Sequence, residues 1–259
     1  MDYKLAVCVL ASGSRGNAIY VSDGITSILV DAGLSGIEIE RRLKFRGISP
    51  ETFSAIVVTH EHTDHILGVG VLSRRYHIPV YLSGDTKRAA EPATGRLFQS
   101  IDFEPGRTFA VRSLMLHPFA LSHDAEDPVG LTLSGNGKKI GIATDMGIAT
   151  GLVKDHLQEC TLLVLEANHD IQMLEEGPYP WPLKQRIQGR QGHLSNVQSR
   201  DLLKEIRHRG LAHVVLAHLS ETNNTPEKAL HTIEGSVDSR FTRIDVALQD
   251  RCGDLLILP

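Results

Sequence analysis

Short apolar runs rich in β-branched residues recur along this chain, each closed by small, polar or proline-bearing breaks. Leu5-Ala6-Val7-Cys8-Val9-Leu10 reads as an opening strand, and two shorter strands follow near residues 18–21 and 27–30. Ala55-Ile56-Val57-Val58, Val80-Tyr81-Leu82, Leu114-Met115-Leu116, Leu162-Leu163-Val164-Leu165, Val214-Val215-Leu216-Ala217 and Leu255-Leu256-Ile257-Leu258 repeat the pattern. Leu131-Thr132-Leu133-Ser134 and Lys139-Ile140-Gly141-Ile142 flank Gly135-Asn136-Gly137, a hairpin signal. Between the strands, Ile37, Ile39, Leu43 and Phe45 lie among charges and stop at Gly47, which predicts a helix over residues 35–46. Residues 66–76 predict another. Further helices are expected near Ala149, after Asn168 or Asp170 as a cap, after Ser195 or Asn196 as a cap, and beyond Pro226. Residues 85–106, interrupted by Pro92, Gly95 and Pro105, predict a helix and a surface loop. Pro178, Pro180 and Pro182 around Tyr179 and Trp181 predict a loop. Strands alternating with helices make an α/β fold, and with no repeat or linker in sight residues 1–259 read as one domain.

Composition narrows the function classes. A formal charge of −4 with 22% charged residues gives no global basic field for a polyanion. One segment departs from this: Lys184, Arg186, Arg190, Arg200, Lys204, Arg207 and Arg209, diluted by Asp201 and Glu205, form either a solvated helix face or a local patch for nucleic acid. Met1-Asp2-Tyr3-Lys4 leads into the first strand without the flanks of a signal peptide, and no run of about 18 apolar residues appears, so a soluble, cytoplasmic protein with no membrane partner is expected. Cys8, Cys160 and Cys252 are far apart and lack a C-x-x-C pair, which predicts buried free thiols in a reducing compartment. No feature names an oligomeric state.

The chemistry concentrates in Thr59-His60-Glu61-His62-Thr63-Asp64-His65, directly behind an apolar strand. A single histidine such as His77 or His208 is ordinarily a solvated or core-bonded side chain. Several imidazoles and a carboxylate at one strand end are different, because burying them is costly unless a cation pairs them. Residues two apart on an extended segment point the same way, so His60, His62 and Asp64 can converge while His65 faces elsewhere. So many donors in so short a span suggest two ions. The helical H-E-x-x-H pattern is not met, since Asp64 stands three places after Glu61. Other candidates sit at predicted strand ends. Asp31 is placed to orient a ligand imidazole. His123 is preferred to His117 as a returning ligand, because Pro118 holds His117 in an extended, structural position. Asp145, which competes with a helix-cap role, and His218 complete the set. Asn168 and His169 lie beside Glu166 as supporting residues. Ser12-Gly13-Ser14-Arg15-Gly16-Asn17 is either a hairpin turn or a backbone anion cradle.

The order H-x-H-x-D-H, then a later His, an Asp and a final His, met here by His60, His62, Asp64, His65, His123, Asp145 and His218, resembles the metallo-β-lactamase superfamily. Ser12–Asn17, Glu166-Ala167-Asn168-His169, Gly192-His193-Leu194-Ser195-Asn196 and His218-Leu219-Ser220-Glu221 narrow the resemblance to its YycJ/WalJ-like hydrolases of nuclease type. The resemblance implies a four-layer αββα sandwich with two divalent ions, Zn²⁺ or Mn²⁺, iron being acceptable to the same donors. His60, His62 and His123 would hold one ion, Asp64, His65 and His218 the other, and Asp145 would bridge them. It implies a phosphodiesterase, a DNA exonuclease directed to a 5′ end, using a hydroxide held between ions about 3.5–4 Å apart. Asp64 would orient that hydroxide. His193 would give a proton to the leaving oxygen or bind the phosphate, with Asn17, Ser195 and Asn196 as further phosphate contacts. The alternative is hydrolysis of a small carbonyl substrate, a thioester or lactone, on the same metal scaffold.

Overall fold

The computed structural model describes residues 4–258, so the Met1-Asp2-Tyr3 start of the sequence reading and Pro259 lie outside the described residues. In chain order the strands are β1 (Ala6–Ala11), β2 (Ala18–Ser22), β3 (Ser27–Val30), β4 (Phe53–Val57), β5 (Pro79–Ser83), β6 (Gln99–Phe103), β7 (Phe109–Val111), β8 (Leu114–Ala120), β9 (Val129–Gly135), β10 (Lys138–Ala143), β11 (Leu162–Glu166), β12 (His213–Ala217), β13 (Arg243–Val246) and β14 (Leu256–Ile257). The helices are α1 (Gly36–Phe45), α2 (Thr63–Ile66), α3 (Val69–Tyr76), α4 (Gly84–Thr94), α5 (Gly151–Leu157), α6 (Ile171–Glu176), α7 (Trp181–Gln188), α8 (Asn196–Ile206) and α9 (Pro226–Ile233).

Two sheets result, ordered β14-β1-β2-β3-β4-β5-β6 and β13-β12-β11-β10-β9-β8-β7. Strands β3 to β6 run parallel, as do β10 to β13, and the rest pair antiparallel. The period of two explains the layering. Val7 and Val9 of β1, Ile28 and Val30 of β3 and Ala55 and Val57 of β4 turn into a core that they share with Leu162 and Val164 of β11 and Val215 and Ala217 of β12. Their sequence neighbours turn outward: Cys8, Leu10, Leu29 and Ile56 pack under Ile39 and Leu43 of α1 and Val69 and Leu72 of α3. On the far side Leu163, Leu165, Val214 and Leu216 pack under Leu202 and Leu203 of α8 and Ala229 and Ile233 of α9. Strands covered on both faces must be apolar at every position, and that produces the continuous runs in the sequence. The architecture is the four-layer αββα sandwich expected.

Several local expectations need correction. Residues 99–103 form β6 rather than a surface loop; it is an edge strand with only Phe103 buried, so no apolar alternation marks it. Pro92 lies inside α4 instead of ending it. Pro182 likewise starts a helix, occupying the first turn of α7, where no backbone N–H is needed. The expected helix over 66–76 is divided by Gly68 into α2 and α3. The hairpin is tight: Asn136 and Gly137, at φ of 52° and 72°, turn β9 into β10. Cys8 and Cys252, distant in sequence, lie side by side, while Cys160 is buried elsewhere.

Candidate metal centre

The parallel strands of both sheets deliver their C-terminal ends to one edge of the sandwich, the usual place for a site in an open parallel sheet. Beyond β4 the chain runs extended through His60 and His62, then tightens into α2, whose single turn carries Asp64 and His65. This corrects the local geometry expected from sequence. Asp64 leaves the face shared by His60 and His62, and His65 turns inward, fully buried, instead of away. Gly33 permits the approach, because a methyl group there would overlap the Asp64 carbonyl, to which Asn17 N donates at 2.7 Å.

Ligand-type atoms gather in overlapping groups within 4.8 Å of one another: His60, His62 and His123; Asp64, His65 and His218; His60, His65 and Asp145; and Asp145, Glu166, His193 and His218. All seven candidate ligands are thus brought together, and His193 and Glu166 adjoin them. His65 Nε2 stands 3.2 Å from Asp145 Oδ2, and His218 Nε2 lies 3.4 Å from Asp145 Oδ1 and 3.5 Å from Asp64 Oδ2. The His60 and His65 rings are only 4.0 Å apart at their centroids. His60 Nε2, Asp145 Oδ2 and His218 Nε2 are buried without a hydrogen bond of good geometry. Unsatisfied buried nitrogen and oxygen donors aimed at one another fit divalent cations such as zinc or manganese.

The charge balance of the bare side chains says the same. Burial opposes it, yet Asp145 and Asp31 hold the His65 imidazolium well above its usual range. Burial opposes His218 too, and Asp145, Asp64 and Glu166 push it to about 10. Against its own desolvation, Asp145 is drawn well below the usual carboxylate range by His218 and His65. His60 moves the other way, since burial and the neighbouring imidazoles keep it neutral.

The supporting groups fix tautomers. Asp31 Oδ2 accepts from His65 Nδ1 at 2.8 Å, and its Oδ1 accepts from Thr59 N at 2.8 Å, so His65 presents Nε2 to the centre. Gly192 O accepts from His123 Nδ1 at 3.1 Å with the same effect. Asn168 donates from Nδ2 to His218 O at 2.9 Å, and His218 N donates to Ser12 Oγ at 2.7 Å. Asp31, Asp145 and His218 all adopt left-handed backbone at φ of 58°, 60° and 55°, each at or just beyond a strand end.

Other sequence candidates sit differently. Asn17 is buried and donates to Asp64 Oδ2 at 3.2 Å, so its amide is turned to a candidate ligand rather than to the open cavity. Ser195 is the N-cap of α8 in a reciprocal capping box with Gln198. Asn196 exchanges amide hydrogen bonds with Asn224 at 2.9 Å. Both are 1% exposed, and these internal bonds replace the phosphate contacts expected of them. His169 is buried with its Nδ1 unpartnered, and desolvation lowers it to about 4.

Glu166, which the sequence marks only as a neighbour of Asn168 and His169, holds a central place. It is fully buried at the end of β11, accepts from His193 Nδ1 at 2.7 Å and from Met146 N at 2.9 Å, and lies 3.4 Å from His218 Nδ1. Burial opposes its ionisation, but His193 and His218 hold it at about 2. A carboxylate closing an otherwise apolar strand, Leu-Leu-Val-Leu-Glu, is the signal that could have found it. Beside His193 a cavity of about 280 Å³ opens, lined also by Ser14, Asp124, Asn168, Tyr179 and Arg186. Arg186 pairs with Asp124 at 2.5 Å, and the Asp124 carbonyl accepts from His62 Nε2 at 3.2 Å. One member of the basic segment therefore reaches the mouth of the centre.

The fold and the gathered histidines and aspartates define a metallohydrolase, and the chain belongs to the β-lactamase superfamily: the family profile described as "Beta-lactamase superfamily domain" matches residues 26–219. Within that superfamily it falls in the YycJ/WalJ group of nuclease-type, metal-dependent hydrolases. It is 36% identical over 234 residues to the exodeoxyribonuclease YycJ of Bacillus anthracis, covering 90% of this chain and 89% of that protein. It is 37% identical over 229 residues to the exodeoxyribonuclease WalJ of Streptococcus pneumoniae serotype 2 (strain D39 / NCTC 7466), covering 87% and 85%. Among solved structures, the metallo-β-lactamase fold protein YhfI from Bacillus subtilis superposes with a TM-score of 0.77 at 16% identity, covering 98% of each chain.

Proposed function

We propose that this chain is a DNA exonuclease that hydrolyses phosphodiester bonds with two divalent ions, one held by His60, His62 and His123, the other by Asp64, His65 and His218, with Asp145 between them. The observation that carries the reading is the Asp145-centred cluster of unsatisfied buried donors opening beside His193 onto a small cavity that Arg186 and Tyr179 also line. The names of the YycJ and WalJ relatives support DNA as the substrate. Family likeness favours attack from a 5′ end, and zinc or manganese in the centre. Among the described residues no helix is long and apolar enough to cross a membrane, and the reading places the enzyme in the cytoplasm, as a single domain over residues 1–259.

When bound, such ions lower the pKa of a water and draw charge from a phosphoryl oxygen, which suits a reaction whose entering and leaving oxygens both carry charge. The rest falls to the protein. Asp31 and Gly192 O orient the imidazoles of His65 and His123 before substrate arrives. His193 keeps Nδ1–H on Glu166 Oε1 at 2.7 Å, which frees Nε2 to hand a proton to the departing oxygen. Arg186 offers its guanidinium to the chain of phosphates, and the Tyr179 ring offers a face on which a base can stack.

The test is digestion of end-labelled DNA beside RNA, thioester and lactone substrates, with Mn²⁺ or Zn²⁺ and with a chelator. Release of nucleotides from DNA that the chelator stops and that His62→Ala abolishes is expected. Undiminished digestion by His62→Ala, or turnover of the carbonyl substrates alone, would overturn the reading.

A further inference from the structure

At the end of the sandwich bounded by the edges β14 and β13, a cavity of about 880 Å³ is lined by Arg46, Arg243, Leu230 and Cys252. Cys252 is half-buried there, and its Sγ lies 3.5 Å from Sγ of Cys8, which is wholly buried on the helix-facing side of β1. Both thiols point to the same carbonyl, Gly253 O, at 3.2 and 3.5 Å. Arg46, at the end of α1, donates from Nη2 to Cys252 O at 3.1 Å and to Asp254 Oδ1 at 3.0 Å; its Nε is buried with no hydrogen-bond partner.

We propose that Cys8 and Cys252 are a peroxide-responsive dithiol, with Cys252 the attacking sulfur and Cys8 the resolving one. The Cys252 thiolate displaces one oxygen of hydrogen peroxide, forming a sulfenic acid and releasing hydroxide, which leaves as water once protonated. The Cys8 thiol then attacks the Cys252 sulfur, forming the S–S bond and releasing a second water; two thiols are oxidised and one peroxide is reduced. The sulfurs must close from 3.5 Å to about 2.0 Å, a movement small enough for side-chain rotation at the half-buried partner. The division of labour follows from surroundings. The Cys8 thiol and the Arg46 and Arg42 guanidiniums draw Cys252 down to about 6, whereas Cys8 is pushed far up by its bond to Cys252 and by burial. Cys160, raised to about 12 by burial and remote from both, is an internal control. The crosslink would tie β1, which leads into Ser12 and Asn17, to the segment whose Gln249 accepts from Arg15 N at 2.7 Å and donates to Gly16 O at 2.9 Å. The strand that enters the loop behind Asp64 and His218 and the segment bonded to that loop would then be joined.

The experiment treats the reduced, metal-loaded full chain with a small excess of hydrogen peroxide, alkylates the remaining thiols under denaturing conditions and maps the peptides. An intramolecular Cys8–Cys252 peptide, reversed by dithiothreitol, with Cys160 still alkylated, is the expected result. Arg46→Met should slow the peroxide step about tenfold, and Cys8→Ala should leave a sulfenic acid on Cys252 that dimedone traps. Complete alkylation of both cysteines after peroxide, or a disulfide joining two chains instead, would overturn the proposal. If Cys8→Ala does not fold, the native chain and Arg46→Met still decide it.

Discussion

The two sheets furnish the centre in opposite ways. The first supplies His60, His62, Asp64 and His65 from one loop behind β4, braced by Asp31 at the end of the neighbouring β3. The second supplies single residues: His123 between β8 and β9, Asp145 beyond β10 and His218 beyond β12, with Glu166 on the strand between the last two. A loop that carries four donors shares a common backbone, so its geometry rests on a local turn. Donors that arrive singly depend on strand register, because β10, β11 and β12 must align Ala143 with Leu165 and Glu166 with Ala217 for their ends to meet. The first sheet thus sets its donors by one local turn, the second by the register of separate strands.

On the second sheet the largest effect should come from Asp145. Asp145→Ala removes the one carboxylate that faces both histidine groups, and a loss of at least about 10³-fold in kcat/KM, together with reduced bound metal by elemental analysis, is expected. His193→Ala should follow, with a fall of about 10²–10³-fold in kcat and little change in KM or metal content, as befits a proton donor. The counterpart on the first sheet is Asp31→Asn. With the amide oxygen kept on Thr59 N, the amide NH2 faces His65 Nδ1 and cannot accept from it, so the imidazole proton shifts to the nitrogen that should face the ion, and metal affinity should drop about 10–100-fold in a chelator competition. An Asp31→Asn loss as large as that of Asp145→Ala would break the asymmetry between the sheets. Arg186→Ala should be milder, raising KM roughly fivefold and reducing the salt dependence of cleavage by about one unit of slope.

The smallest effect concerns His169. Burial keeps it neutral in the folded chain down to about 4, whereas the unfolded chain takes up that proton near 6.5. The unfolded state therefore binds more protons between these values, and stability falls as pH drops through that window. In urea titrations of the metal-free protein, His169→Gln should flatten that slope, by at most about 1.4 kcal/mol per pH unit.

How much of this was legible follows the same divide. The local cluster at 60–65 announces itself because its members are sequence neighbours, and the strands with two buried faces announce themselves as unbroken apolar runs. The partners on the second sheet needed the family pattern, since a lone Asp145 or His218 at a strand end looks like any cap or turn residue. The part played by Glu166 is not legible locally because its partners His193 and His218 lie 27 and 52 positions away in sequence. Ser195 and Asn196 misled for the converse reason: a helix start looks alike whether it binds an anion or only caps itself, and only the capping box and the Asn224 pair separate the two. The edge strands β6, β7 and β13 left little trace, because a strand covered on one side or fewer has no need of consecutive apolar residues.

The left-handed backbone at Asp31, Asp145 and His218 bears on any attempt to make this protein sturdier. Glycine relaxes such a conformation and asparagine tolerates it, so a screen that rewards heat resistance alone would drift toward those residues at all three positions. Each step would harden the scaffold while emptying it of chemistry. Selection for persistence and selection for turnover therefore pull these same three positions apart.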